Sequence, residues 1–181
     1  MAIPLPALHS QHYHTSDMIV NVHSDALCLS EADARSRECM HFFMGWEAKD
    51  SDSIKLNCAF FTLCAILCFV FTSTAEAKLG TLFLNCKKGM IFRMTLEELG
   101  HPQPKTQVHC NNATTIGIAN NTIKRQHLGL MEMRYFWVCD KIAQDAYSVK
   151  WHPGQENLAD YQSQKTPHGS TSSSSTPLVP T

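Results

Sequence analysis

The sequence predicts an α/β fold in which a five-stranded mixed sheet is flanked by helices. Three mainly apolar segments, residues 18–29, 39–46 and 54–67, follow one another and indicate three antiparallel strands. Residues 74–88 then place apolar side chains at helical spacing. Residues 106–161 follow in the order strand, helix, helix, strand, helix, with polar residues where the strands end. Strands that alternate with amphipathic helices are typical of a sheet covered by helices.

The length and composition indicate one folded domain. The chain has 181 residues, of which 44% are hydrophobic and 17% charged, as in an ordinary folded protein. We expect a flexible arm over residues 1–16, the domain over 17–165 and a disordered Ser/Thr/Pro-rich tail over 166–181. The net charge of −1 lacks the basic excess of dedicated nucleic-acid-binding proteins, so it gives no support to tight binding of phosphates.

The cysteines and the N-terminal residues indicate where in the cell the protein is located. The eight cysteines contain no C-x-x-C pair, and several lie in apolar segments, where a free thiol packs as a small hydrophobic group. Residues 1–8 are uncharged and contain two prolines, unlike a signal peptide. The sequence therefore predicts free thiols in an intracellular chain, cytoplasmic or nuclear. The apolar run 58–71 has 14 residues where a membrane-spanning helix needs about 20, so we interpret it as a buried strand.

The first predicted strand carries a polar interruption. Val20 and Val22 share one face of the strand, and His23 and Asp25 share the other. Asp25 comes near the end of an otherwise apolar segment. It is either an exposed carboxylate at a strand end or a catalytic or metal-binding carboxylate.

The helices are delimited by capping and breaking residues. Ser73 or Thr74 is the expected N-cap of the first helix, and a second short helical piece is expected to end at Gly100, before Pro102. The remaining predicted elements are a strand over 107–110, a helix beginning after Asn112, a helix over 131–146, a strand over 148–151, a turn at His152-Pro153-Gly154 and a last helix over 156–161.

Six short segments in this order resemble the ribonuclease H family, and in particular the RNase H domain that ends the polyprotein of copia-type LTR retrotransposons. The segments are His23-Ser24-Asp25-Ala26, Ser73-Thr74-Ala75-Glu76-Ala77-Lys78-Leu79, Leu96-Glu97-Glu98-Leu99-Gly100, Val108-His109-Cys110-Asn111-Asn112, Met133-Arg134-Tyr135-Phe136 and Asn157-Leu158-Ala159-Asp160. Each is weak alone, but six in the right order form a specific signal. They extend over residues 18–165 and imply an RNase H-like fold.

The resemblance implies a site of four carboxylates that hold two Mg²⁺ ions about 4 Å apart and cleave RNA in an RNA/DNA hybrid. Two of the four positions keep their carboxylates, at Asp25 and Asp160. The other two are substituted, by Asn111 on the fourth strand and by Lys78 on the first helix. An ammonium group and an amide cannot supply the negative charge that holds such hard ions, which argues against Mg²⁺ binding here.

Two further residues enter as candidates. Glu76 is a possible substitute for the lost helix carboxylate, although two residues along a helix is about 200° around its axis. His152 resembles a histidine on a flexible loop that assists product release in some relatives, and an exposed turn histidine is at least as common. A modest basic cluster at Lys124, Arg125 and His127 could contact a nucleic-acid backbone or form a solvated loop.

The sequence thus predicts a retroelement-derived RNase H-like domain that has lost hydrolytic activity. One alternative is a weakly active Mg²⁺-dependent ribonuclease that uses Asp25, Glu76 and Asp160. Another is a non-catalytic module that binds an RNA/DNA hybrid or other nucleic acid weakly. No membrane association and no obligate protein partner are predicted.

Overall fold

A computed structural model describes residues 16–46, 57–68, 70–71, 73–121 and 132–159. Its five strands are β1 (Ile19–Leu27), β2 (Arg37–Gly45), β3 (Ala59–Ile66), β4 (Thr106–Cys110) and β5 (Tyr147–Trp151). They form one sheet in the order β3-β2-β1-β4-β5. The first three strands pair antiparallel, while β1–β4 and β4–β5 pair parallel. The predicted five-stranded mixed sheet is therefore confirmed.

Helix α1 (Thr74–Glu98) is longer than predicted. The sequence suggested a break after Lys88, but the helix continues through Gly89 for 25 residues in all. A Cβ atom at Gly89 would lie 2.8 Å from the hydroxyl of Tyr147, so the glycine lets α1 approach β5 closely. Ser73 caps the helix by accepting the Glu76 N–H at 3.2 Å, and Gly100 follows the helix at φ 88°.

The remaining helices are short. Helix α2 (Ala113–Ala119) begins after Asn112, whose side chain accepts the Thr115 N–H at 2.8 Å. Helix α3 spans Glu132–Ala143. The prediction of a last helix from residue 156 was wrong at its start, because Gly154–Glu156 is a 3-10 turn and Asn157 is extended. Helical backbone begins at residue 158, and residues from 160 onward lie outside the described part.

The core lies between α1 and one face of the sheet. Alternate residues of β1, including Val20 and Val22, point toward the helix, as the period of a strand requires. They pack with apolar residues of the neighbouring strands and helices. The buried members include Met40, Phe42, Leu79, Leu82, Cys86, Val108, Cys110, Tyr135, Val138, Tyr147 and Val149.

Strand β3 corrects the interpretation of the apolar run 58–71. Within that run, Ala59–Ile66 forms an edge strand whose residues alternate between half-buried and exposed, rather than a buried strand. Apolar composition does not distinguish an edge strand from a central one. No helix in the described ranges is long and apolar enough to cross a membrane. The intracellular location stays a prediction.

The prediction of free thiols was wrong for two of the cysteines. Cys39 of β2 and Cys64 of β3 lie directly opposite each other with 4.3 Å between their Cα atoms, and they form a disulfide. The other six cysteines are free. Antiparallel register brings together residues that are 25 apart in sequence, which spacing alone could not reveal.

Candidate functional site

Three of the sequence-predicted site residues meet at one edge of the sheet. Asp25 lies on β1, Asn111 follows the last residue of β4, and Lys78 lies in the second turn of α1. Strands β1 and β4 are parallel neighbours, so their carboxyl ends lie side by side. Helix α1 begins against this same edge, which is where ligands bind in many sheets with parallel strands.

The Lys78 ammonium group occupies the centre of this site. Its Nζ atom donates to Asp25 Oδ1 at 3.0 Å and makes a second, short hydrogen bond to Asn111 Oδ1. The Asp25 side chain is 1% exposed and the Lys78 side chain 12% exposed, so this is a largely buried ion pair. A buried charge requires a partner of opposite sign, and here each group supplies that partner to the other.

The two other predicted carboxylates are placed differently. Glu76 lies in the first turn of α1, is half-buried, and has its backbone N–H held by the Ser73 side chain. Asp160 lies outside the described residues. The residues just before it are held against β1, since Ala159 is fully buried and the Asn157 amide donates to the backbone carbonyl of Ser24 at 3.1 Å.

A histidine row on the sheet face opposite α1 was not predicted. His41, His23 and His109 occupy directly paired positions on β2, β1 and β4. His152 completes the histidine row, with its ring centre 4.7 Å from that of His109 and 5.5 Å from that of His23. His152 is therefore packed over this face, and its Nε2 lies 3.6 Å from the Glu156 carboxylate. Its suggested role in product release stays a prediction.

The buried imidazoles of the histidine row are neutral at neutral pH. Burial is the main cause, and repulsion from the neighbouring imidazoles the second, that lowers the pKa of His23 to about 3. Burial, followed by repulsion from His152 and Lys150, lowers the pKa of His109 to about 4. Burial also lowers the pKa of His41. Uncharged imidazoles pack as flat aromatic groups, and His23 stacks on His109 with ring centres 5.1 Å apart.

The histidine row also holds the C-terminal segment against the sheet. The Leu158 N–H donates to His23 Nδ1 at 3.3 Å. Asn157, which binds the Ser24 carbonyl, accepts the Ala159 N–H at 3.1 Å and so caps the turn of helix that begins there. These contacts fix residues 157–159 beside β1, on which Asp25 lies.

The donor set does not fit the Mg²⁺ ions that the resemblance implies. Mg²⁺ requires oxygen ligands with net negative charge, but the Asp25 carboxylate is already paired with the Lys78 ammonium group. Across the described ranges, no group of three or more His, Cys, Asp or Glu side chains could hold a metal ion. The predicted basic cluster at residues 124–127 lies outside the described part of the chain.

Comparison with known proteins identifies the fold. No family model matches the sequence, and no curated protein sequence matches it. Among solved structures, the N-terminal RNase H domain of a Mycobacterium tuberculosis protein, fused to maltose-binding protein, is 13% identical with a TM-score of 0.53. The match covers 80% of this chain and 89% of that one.

LC11-RNase H1 matches in two structures. In complex with RNA/DNA hybrid it is 10% identical with a TM-score of 0.56, over 78% of this chain and 91% of that one. Another structure of this enzyme, isolated from compost by a metagenomic approach, is 8% identical with a TM-score of 0.58, over 81% and 92%. The chain therefore has an RNase H-like fold. At such low identity the likeness concerns the fold alone.

Proposed function

We propose that this chain is an RNase H-like domain that does not hydrolyse RNA, because a lysine ammonium group stands where the reaction requires a metal ion. The single observation that carries the proposal is the contact of Lys78 with both Asp25 and Asn111. A two-metal reaction needs cations that activate water and stabilise the leaving oxygen. A lysine ammonium group cannot bind water as a metal does, so it generates no hydroxide.

Electrostatics makes the loss of metal binding large. In an RNase H site with four carboxylates the summed charge attracts two divalent ions. Here Lys78 puts a positive charge in place of a negative one, and Asn111 removes a second negative charge. A Mg²⁺ ion about 4 Å from the ammonium group would be repelled by about 8 kcal/mol at an effective dielectric constant of about 20, twice the value for two unit charges. At the same distance, that repulsion cancels the attraction of one of the two remaining carboxylates.

The test is a cleavage assay with RNA/DNA hybrid in Mg²⁺ and in Mn²⁺. The natural chain is compared with the double variant Lys78→Glu/Asn111→Asp and with each single variant. We expect no cleavage by the natural chain and activity in the double variant only, since both positions must contribute charge. Cleavage by the natural chain that is lost in Glu76→Gln would instead establish the weakly active ribonuclease.

The partner we propose is an RNA/DNA hybrid. Support comes from the RNase H-like fold and from the six ordered segments that resemble the family.

The same segments support an origin in a copia-type retrotransposon. That origin predicts reverse-transcriptase coding sequence upstream of the gene, which sequencing of the flanking DNA tests directly.

Binding of hybrid is measured by fluorescence anisotropy at low salt, where phosphate contacts are strongest. No binding under these conditions would remove the hybrid as partner.

A further inference from the structure

We propose that the Lys78 ammonium group is a built-in cation that contacts a backbone phosphate of the bound hybrid, so that binding at this site needs no divalent metal. The inference rests on the proposed function, and it goes further by naming the group that replaces the metal. Its starting point is the mismatch between the donor set and Mg²⁺. The site has lost the charge that holds a metal but has gained a cation that cannot dissociate.

The hydrogen bonds of Lys78 leave a donor for a ligand. An ammonium group carries three N–H donors. One is directed at Asp25 Oδ1, 3.0 Å from Nζ, and one at Asn111 Oδ1. Among the residues that the structure describes, none accepts the third. A phosphate oxygen is a strong acceptor for it, because hydrogen bonds between ionised groups are about twice as strong as neutral ones.

The two acceptors hold the ammonium group in place. Lysine is a long flexible side chain, and ordering it on binding a ligand normally costs up to about 2 kcal/mol. Here Asp25 and Asn111 already fix the Nζ atom, and the side chain keeps only 12% of its surface exposed. A ligand therefore meets a cation that is already ordered, which favours binding at one defined point of the backbone.

Among the described residues, the charge of the site is compatible with a phosphate. Four carboxylates without metal would repel it strongly, so an RNase H site of that kind needs its cations for substrate contact as well as for chemistry. In this chain the charge of Asp25 is balanced by Lys78 and position 111 is neutral. Glu76 lies about 200° around the helix axis from Lys78.

The test measures how hybrid binding depends on salt, in EDTA and in Mg²⁺. Each phosphate contact that is lost reduces the slope of log K against log salt concentration by about 0.7–0.9. We expect the natural chain to bind at least as tightly in EDTA as in Mg²⁺, and the salt slope of Lys78→Gln to be smaller by one phosphate contact. Lys78→Arg should retain the slope, because it keeps the charge. Lys87→Gln is the matched control, since Lys87 is an exposed lysine on the same helix. It lies nine residues after Lys78, about 180° away around the helix axis.

A second variant keeps the test decisive if Lys78→Gln folds poorly. Asp25→Asn keeps an oxygen that accepts from Nζ but removes the charge that compensates the ammonium group, so this variant should bind hybrid more tightly than the natural chain, whereas a purely structural ion pair would give unchanged or weaker binding. Circular dichroism confirms the fold of each variant. Binding with the same salt slope in Lys78→Gln and Lys87→Gln would overturn the inference while leaving the proposed partner intact. Binding that requires Mg²⁺ would also overturn it. No binding by the natural chain would overturn both.

Discussion

The buried ion pair makes a stability prediction that does not depend on any ligand. Lys78→Met removes the charge but keeps an unbranched side chain of similar length. The Nζ and Oδ1 atoms of the pair are 3.0 Å apart, so their attraction is about 5 kcal/mol at an effective dielectric constant of about 20. Removing one member of a buried pair costs about 3–5 kcal/mol, because the other charge remains without it.

The exposure of Lys78 lowers the expected cost. With 12% of the lysine side chain exposed, water can reach the site in the variant, and we expect Lys78→Met to lower the free energy of unfolding by about 2–3 kcal/mol. Asp25→Asn should cost about 1–2 kcal/mol, since the amide oxygen can still accept a hydrogen bond from the lysine and water can reach the ammonium group. The double variant Lys78→Met/Asp25→Asn leaves no charge in the pair, and replacement of both partners of a buried ion pair is often close to neutral in stability. It should therefore be more stable than the sum of the single losses by at least about 1.5 kcal/mol.

Equilibrium unfolding in urea, followed by far-ultraviolet circular dichroism, measures this cycle. Lys87→Met, at an exposed position of the same helix, controls for loss of a lysine and should change stability by less than about 0.5 kcal/mol. If the two single losses add in the double variant to within about 0.5 kcal/mol, the residues are not coupled and the reasoning is refuted.

Three other perturbations follow from the packing. Gly89→Ala should lower the free energy of unfolding by about 1–3 kcal/mol, because its Cβ would lie 2.8 Å from the Tyr147 hydroxyl. Thermal unfolding should show that most of this loss disappears when Gly89→Ala is made in a Tyr147→Phe background. The pKa values of His23 and His109, about 3 and about 4, lie below the ordinary 6.5, so the unfolded chain binds more protons and stability should fall as pH drops from 6.5 toward 4. His109→Gln should flatten that fall by up to about 1.4 kcal/mol per pH unit in urea titrations, and an unchanged slope would contradict the assignment. Burial raises the pKa of Glu38, whose Oε2 has no hydrogen-bond partner in the described part of the chain, so Glu38→Gln should raise the free energy of unfolding at pH 7 and leave it unchanged near pH 4.

Periodicity in the sequence was sufficient to predict the sheet. The alternation around Val20 and Val22 indicated a strand with one buried face, which is how β1 lies against α1. Position within the sheet was not predictable in this way, because β3 is as apolar as a central strand and yet lies at the edge. The break predicted after Lys88 failed because Gly89 is required by packing against Tyr147, a contact between distant parts of the chain.

The candidate site was accessible from sequence only in part. The resemblance to a family placed Asp25, Lys78 and Asn111 together, and the structure brings them into contact. The histidine row and the Cys39–Cys64 disulfide were missed, because both arise from register between strands that are far apart in the chain. Histidines recur on successive strands of the sequence, but only the register between these strands shows that they lie side by side.

The double contact of Lys78 also constrains how this site could gain a metal through mutation. Asn111→Asp alone would give the ammonium group a second carboxylate partner, which stabilises the lysine where it stands. Lys78→Glu alone would place a carboxylate against the buried Asp25 with no cation between them, at a cost in folding free energy. Each single substitution therefore leads away from a metal site or through a less stable intermediate. A lysine at position 78 makes a metal site hard to reach by one mutation at a time.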